Sequence, residues 1–306
     1  MAETVAFIGT GAMGAPMASN LIDAGFALRV WNRSAERARS LAERGASVCA
    51  TIAEAVTDAR FVVSIVADDD ATRAVMLGPN GVVAQAGPGT LIIDSSTNTP
   101  ALVREVADAA RACRLAHLDA PVSGSTAQSR QRELVFMVGG EAPAFAAAQP
   151  LFEAMGRMSV HVGASGAGAT MKLINNMLSG TMNAAIAEAI SVATAAGLDT
   201  GAVQTILAQG AAGCRLMQTK IPKMLARDFS PQFQLALMDK DLSYFLSLAQ
   251  YVDRPVPIAS LVRSQMQAGR RAGYGGLDVS AIWLQATGEK PPEAAPDESA
   301  RPGEAG

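Results

Sequence analysis

The chain has 306 residues, 49% of them hydrophobic and 17% charged, with a formal net charge of −3. That balance specifies a globular protein of one large or two moderate domains; it excludes a disordered chain and a basic polyanion-binding surface, so nucleic acid is not an expected partner. Two histidines and three widely spaced cysteines (Cys49, Cys113, Cys214) exclude a His-rich metal site, argue against a disulfide framework and fit a reducing, cytoplasmic setting. The opening MAETVAFIG has no basic flank, and no apolar run reaches about 18 residues, so neither a signal peptide nor a membrane span is expected.

In chain order, TVAFIG (4–9) reads as a buried strand, GAMGAPMASNLIDAG as a helix ending at Gly25, and FALRVWN (26–32) as a second strand. SAERARSLAERG is expected to form a helix with Ser34 as N-cap and Gly45 as stop. Further strands are expected at 59–66, 89–96, 114–121, 134–140 and 157–163, with helical segments between several of them. Strands alternating with helices predict a doubly wound parallel sheet of Rossmann type over 1–163. From Gly166 onward no strand is legible. LINNMLSGTMNAAIAEAISVATAAG, AVQTILAQG, LALMDKDLSYFLSLAQYV and SLVRSQMQAGRRAG all read as helices. The expected organisation is α/β followed by an all-α domain over 164–290. A Pro-, Glu- and Ala-rich tail, 291–306, is expected to be disordered.

The first strand runs into G-T-G-A-M-G, in which Gly9, Gly11, Ala12, Met13 and Gly14 open the first helix. This context is what a dinucleotide fingerprint requires. One glycine makes the tight turn, one lets the pyrophosphate approach, and one lets helix and sheet pack, with the anion on the helix N-terminus. At the end of the second strand, where an NAD site usually carries an acid for the ribose 2′-OH, the chain has Asn32 and Arg33. A carboxylate there would repel a 2′-phosphate, whereas an amide with a guanidinium would bind one, so NADP is expected in preference to NAD. The alternative is that Arg33 is a solvated loop residue.

On a helix, Lys172, Asn176, Ser179 and Asn183 share one face of a segment that is otherwise apolar. Such a stripe either lines a polar pocket or faces solvent. LDAPVSGST (118–126) leaves a strand as a hydroxyl-rich loop suited to holding a carboxylate, on the side of the sheet where doubly wound folds bind ligands. Lys240, in DKDL, reads on its own as a surface charge.

In this order, FIGTGAMGAPMASNL, DAPVSGS, GASGAGATMKLINN and KDL resemble the β-hydroxyacid dehydrogenase family, over about residues 4–290. The resemblance implies an NAD(P)-dependent oxidoreductase that interconverts a small β-hydroxy acid and its semialdehyde or keto form. It implies that Lys172 is the general acid or base, that Asn176 orients it or the substrate hydroxyl, and that Ser123 and Gly124 hold the substrate carboxylate. By the same resemblance Lys240 lines the closed site, and Val66, Ala67 and Thr97 contact the nicotinamide half. A homodimer or homotetramer through the α domain is expected, both from the family and from the length of the apolar helix, about 45 Å at 1.5 Å per residue. The chain departs from the family at Ser125, where a second glycine is usual, at Ala67, where a proline is usual, and at Arg130 and Arg132 in a segment usually rich in Gly and Ala. Two other readings of the same motifs are an imine reductase-like enzyme, which usually lacks the lysine, and a non-catalytic NADP-binding protein.

Overall fold

A computed structural model of the protein describes residues 3–291; residues 292–306, which hold almost all of the expected disordered tail, lie outside the described residues. The chain forms two compact units: Met1–Leu178 with Lys240–Pro257, and Ser179–Asp239 with the chain from Ile258 on.

The first unit is an α/β sheet module. It comprises β1 (Thr4–Ile8), α1 (Gly14–Asp23), β2 (Ala27–Trp31), α2 (Arg39–Ala42), β3 (Ser47–Val48), α3 (Ile52–Val56), β4 (Phe61–Ser64), α4 (Asp69–Leu77), α5 (Val82–Gln85), β5 (Leu91–Asp94) and α6 (Pro100–Ala112). Then follow β6 (Ala116–Asp119), β7 (Val122–Ser123), α7 (Thr126–Arg130), β8 (Leu134–Gly140), α8 (Ala142–Met155) and β9 (Gly156–Gly163). The strand order is β3-β2-β1-β4-β5-β6-β8-β7, with β9 on the free side of β8. Pairing is parallel from β3 to β6. The sheet then reverses: β8 is antiparallel to β6 and β7, and β9 runs parallel to β8. β6 and β7 run in the same direction, and the chain turns back between β7 and β8, across α7.

The central strands β1, β4 and β5 bury both faces, as a covered parallel sheet requires, whereas β3 and much of β9 are exposed. Val5 and Phe7 point into one core with Met17, Leu21, Phe136 and Phe152. Ala6 and Ile8 point into the other with Ile52, Val62, Ile92 and Val106. The order of the first six strands puts a topological switch point between β1 and β4, where such sheets bind ligands at their carboxyl ends.

The segment after β2 corrects the expected helix with a Ser34 cap. It is a 3₁₀ turn over Ala35–Ala38 followed by the single turn of α2, and Ser34 makes no side-chain cap. The Ser34 carbonyl accepts from Arg37 N three residues on, and also from Asn32 Nδ2, which closes a 3₁₀ ring in place of an α-helical start.

The helix α9 (Ala167–Ala195, 29 residues) starts in the first unit and ends in the second. The second unit also contains α10 (Thr200–Gln209), α11 (Arg215–Ala226), the start of α12 (Leu235–Tyr251), most of α13 (Pro257–Arg271) and α14 (Trp283–Thr287). A buried ion pair, Lys220 Nζ to Asp278 Oδ1 at 2.7 Å, ties α11 to the 3₁₀ turn before α14. No helix is long and apolar enough to cross a membrane among the described residues.

Candidate active site

Gly9 ends β1 at φ +99°, and a Cβ there would lie 2.3 Å from the Ile65 carbonyl oxygen. A Cβ on Gly14 would lie 2.0 Å from Gly9 O. Both positions require glycine because backbone passes backbone. Gly11 differs: its missing Cβ would meet nothing within 4 Å, so it opens onto free space ahead of α1. Met13, the N-cap residue of α1, supplies no side-chain cap, and Ala12 is exposed. The Thr10 hydroxyl beside them is buried and has no partner among the described residues. A helix N-terminus without a cap, a glycine-lined opening and an orphaned hydroxyl fit the diphosphate of a dinucleotide.

Asn32 is engaged otherwise than its position suggests. Its Oδ1 accepts from Thr10 N at 3.0 Å and its Nδ2 donates to Ser34 O at 2.8 Å. The amide therefore braces the phosphate loop from β2, and Arg33 remains exposed as the charged group at that strand end.

The loops after β4 and β5 are held by one buried network. Ser64 Oγ donates to Asp94 Oδ1 at 2.7 Å, Asn98 Nδ2 to Asp94 Oδ2 at 2.8 Å, and Val66 N to Ser96 Oγ at 2.9 Å. Val66, Ala67 and Thr97 stand on these two loops. Asp94 was not legible as a site residue, because its role lies in bonds that join Ser64, 30 positions earlier, to Ser96 and Asn98 in its own loop.

Lys172 is 8% exposed, and its Nζ donates to the Val122 carbonyl at 2.7 Å. Burial lowers its pKa to about 8; Asp241 pulls the other way and the charge of Lys240 adds to the lowering. Asn176, one turn along and 4% exposed, donates from Nδ2 to Asp241 Oδ2 at 2.6 Å, and its Oδ1 accepts from Asn175 Nδ2 at 3.1 Å. Both ends of the amide are fixed, so its orientation is set. The outward positions Met171, Ile174 and Leu178 are the exposed ones. The polar stripe is thus the inward face of α9, and the solvent alternative is set aside.

Lys240 and Asp241 belong to the part of α12 that completes the first unit. Lys240 Nζ donates to Thr97 O at 3.0 Å, lies 3.0 Å from Asp241 Oδ1, and sits 4.7 Å from the Tyr244 ring centre. Tyr244 in turn accepts from Asp69 N at 3.2 Å through its hydroxyl. Far from being a surface charge, Lys240 joins the loop after β5 to the carboxylate that orients Asn176. Asp241, the middle residue of the KDL motif, and Tyr244, two residues beyond it, were not singled out in the sequence.

Ser123 is half-buried in β7, and Gly124 follows at φ +144°, where a Cβ would lie 2.7 Å from Leu134 Cδ2. Ser125 N donates to Gln128 Oε1 at 2.7 Å, which anchors the start of α7 and engages one backbone donor of the loop. Arg132 pairs with Asp23 at 3.3 Å, and Arg130 is exposed. All the predicted site residues lie in the first unit. No cluster of metal-ligating side chains occurs among the described residues.

Residues 4–163 match the NAD binding domain of 6-phosphogluconate dehydrogenase, and residues 166–284 match the NAD-binding domain of NADP-dependent 3-hydroxyisobutyrate dehydrogenase. The chain is 37% identical over 287 residues to an NAD-dependent L-serine dehydrogenase of Pseudomonas aeruginosa, covering 92% of this chain and 96% of that one. It superposes on 3-hydroxyisobutyrate dehydrogenase of Mycobacterium tuberculosis with L-serine at a TM-score of 0.85 and 33% identity, covering 93% of this chain and 99% of the other. An imine reductase from Pseudomonas sp. shares the fold at a TM-score of 0.60 and 22% identity, over 94% and 99% of the two chains. The chain therefore belongs to the β-hydroxyacid dehydrogenase family of NAD(P)-dependent oxidoreductases.

Proposed function

We propose that the protein oxidises a small β-hydroxy acid, or reduces the corresponding semialdehyde, with NADP(H) preferred over NAD(H). The observation that carries this reading is a buried amine, Lys172, with its pKa lowered to about 8, hydrogen-bonded to the carbonyl next to Ser123. When bound, the nicotinamide supplies or accepts the hydride. Lys172 gives a proton to the substrate oxygen in reduction and takes it in oxidation, which an amine near its pKa at neutral pH does well. Asn176 orients Lys172 or the substrate hydroxyl and is itself fixed by Asp241. Ser123 Oγ and the Gly124 backbone hold the substrate carboxylate; Ser125 N, engaged by Gln128, is not among the donors. Lys240 lines the site from the nicotinamide side. Gly9, Gly11, Ala12, Met13 and Gly14 hold the diphosphate, and Thr10 joins them. Arg33 receives the 2′-phosphate, supported by its exposure and by the missing acid at the end of β2.

The cofactor domain is proposed as 1–163 and the α domain as 164–290, in keeping with the extents of the two family matches. A homodimer or homotetramer is supported by the apolar residues Met171, Ile174, Leu178 and Met182, between 36% and 48% exposed along one side of α9. A cytoplasmic setting is supported by three cysteines that all remain free.

The test is a steady-state panel of L-serine, 3-hydroxyisobutyrate and short semialdehydes with both cofactors. Turnover of at least one acid or semialdehyde, with a lower KM for NADPH than for NADH, is the expected result. Equal use of NADH overturns the cofactor assignment, and turnover of imines alone overturns the reaction.

A further inference from the structure

Asp119 ends β6 as a buried carboxylate, and no lysine or arginine pairs with it among the described residues. Its two oxygens are divided between two backbone groups at the start of α9. Oδ1 accepts from Gly166 N at 2.9 Å and Oδ2 from Ala169 N at 2.8 Å. Lys172 follows Ala169 by three residues, and Val122, whose carbonyl receives the Lys172 amine, follows Asp119 by three. The loop Asp119–Val122 and the first turns of α9 are therefore tied at both ends, by a carboxylate at one and by the proposed acid–base group at the other. Glycines make the approach possible. A Cβ on Gly139 would lie 2.5 Å from Asp119 Oδ1, and one on Gly168 would lie 2.5 Å from Asp119 O and 2.9 Å from Oδ2.

We infer that Asp119 is a positioning residue for this reaction: its carboxylate fixes the start of α9 so that Lys172 Nζ is held at the Val122 carbonyl beside Ser123. The inference rests on Lys172 being the acid–base group. Two N–H contacts three residues apart set both the height of the helix and its rotation about its axis. The lysine amine is a long lever on that rotation, and a misplacement of about 1 Å in a reacting group costs about 10²-fold in rate. A capping role alone does not call for this residue. A serine or threonine would satisfy one N–H without the cost of a buried charge, whereas burial pushes the Asp119 carboxyl up to about 6 despite its two backbone donors.

The experiment compares Asp119→Asn and Asp119→Ala with the native protein on whichever panel substrate turns over, with NADPH titration by fluorescence and a thermal melt on each preparation. Asp119→Asn keeps the shape and one acceptor; Asp119→Ala removes both. The expected result is a loss in kcat of at least ~10-fold in the first and about 10²-fold in the second. NADPH affinity should be little changed, and the limb of the pH profile near 8 should move toward the ordinary lysine range as Lys172 leaves its buried position. Native kcat and an unmoved limb in folded Asp119→Asn overturn the inference. So does an equal loss in kcat and NADPH affinity, which would make Asp119 a brace for the whole module. If Asp119→Ala does not fold, Asp119→Asn decides. Lys172→Ala, run in parallel, separates the two claims. If it keeps native turnover, the acid–base reading fails; if it is inactive while Asp119→Asn is native, only the role of Asp119 fails.

Discussion

A lysine buried like Lys172 is costly, because removing an ammonium from water disfavours its charged form. The unfolded chain binds that proton up to the ordinary lysine pKa, near 10.5, while the folded chain releases it above about 8. Stability therefore rises with pH between those values, and the penalty is present in full below about 8. Lys172→Met should remove turnover without lowering the thermal midpoint, the pattern expected of a group kept for function at the expense of stability. The same pKa predicts the pH profile. Oxidation needs neutral Lys172, so kcat/KM should rise to a plateau above about 8, and reduction should show the mirror limb. A flat profile in both directions across that range would contradict the role. Asn32 shows where residue-level reading stops. Its place at the end of β2 was legible, but its amide is taken by Thr10 N and Ser34 O, partners fixed only once the loop is folded.

At the scale of elements, long periodic segments were legible and short or interrupted ones were not. β1, β2, β4, β5, β6 and β8 fall inside the predicted runs, and β9 begins one residue before its run. The two-residue strands β3 and β7 carry too few side chains to show a period. α11 went unread because Pro222 and its basic residues break the apolar pattern. The reversal of β8 and β9 is invisible in sequence, since a strand's composition does not record its direction. The polar stripe of α9 was legible, but which way it faced was not, since a helix with one polar face ordinarily turns that face to water. In the second unit, Asp278 accepts from Lys220 Nζ, Ser280 Oγ and the backbone of Gln232 and Phe233; burial pushes its carboxyl up, but Lys220 and Ser280 together hold it below the ordinary range. Asp278→Ala leaves the Lys220 ammonium buried and alone, and should cost about 3–5 kcal/mol by chemical denaturation. Lys220→Met with Asp278→Leu should cost less than the single change; a loss under about 1 kcal/mol for Asp278→Ala would contradict the ion pair's place in the core.

For the whole molecule, two buried groups on β6 set the acid behaviour in opposite senses. Among the described residues His117 has no partner for either ring nitrogen, and burial lowers its pKa to about 4, with Asp94 opposing. Its contribution is present above the unfolded value near 6.5 and is lost as pH falls toward 4. Asp119 is raised to about 6, so its contribution runs the other way, falling as pH rises from the ordinary carboxylate value to about 6. Each amounts to roughly 3 kcal/mol at most. His117→Leu should therefore flatten the acid side of a plot of thermal midpoint against pH, or invert its slope between about 4 and 6. An unchanged slope would contradict the neutral, buried histidine. The central claim concerns turnover, and the most direct measurement is kcat of folded Lys172→Ala with NADPH bound. A loss of at least about 10²-fold with cofactor affinity retained is the predicted result; near-native kcat in a folded preparation would contradict it.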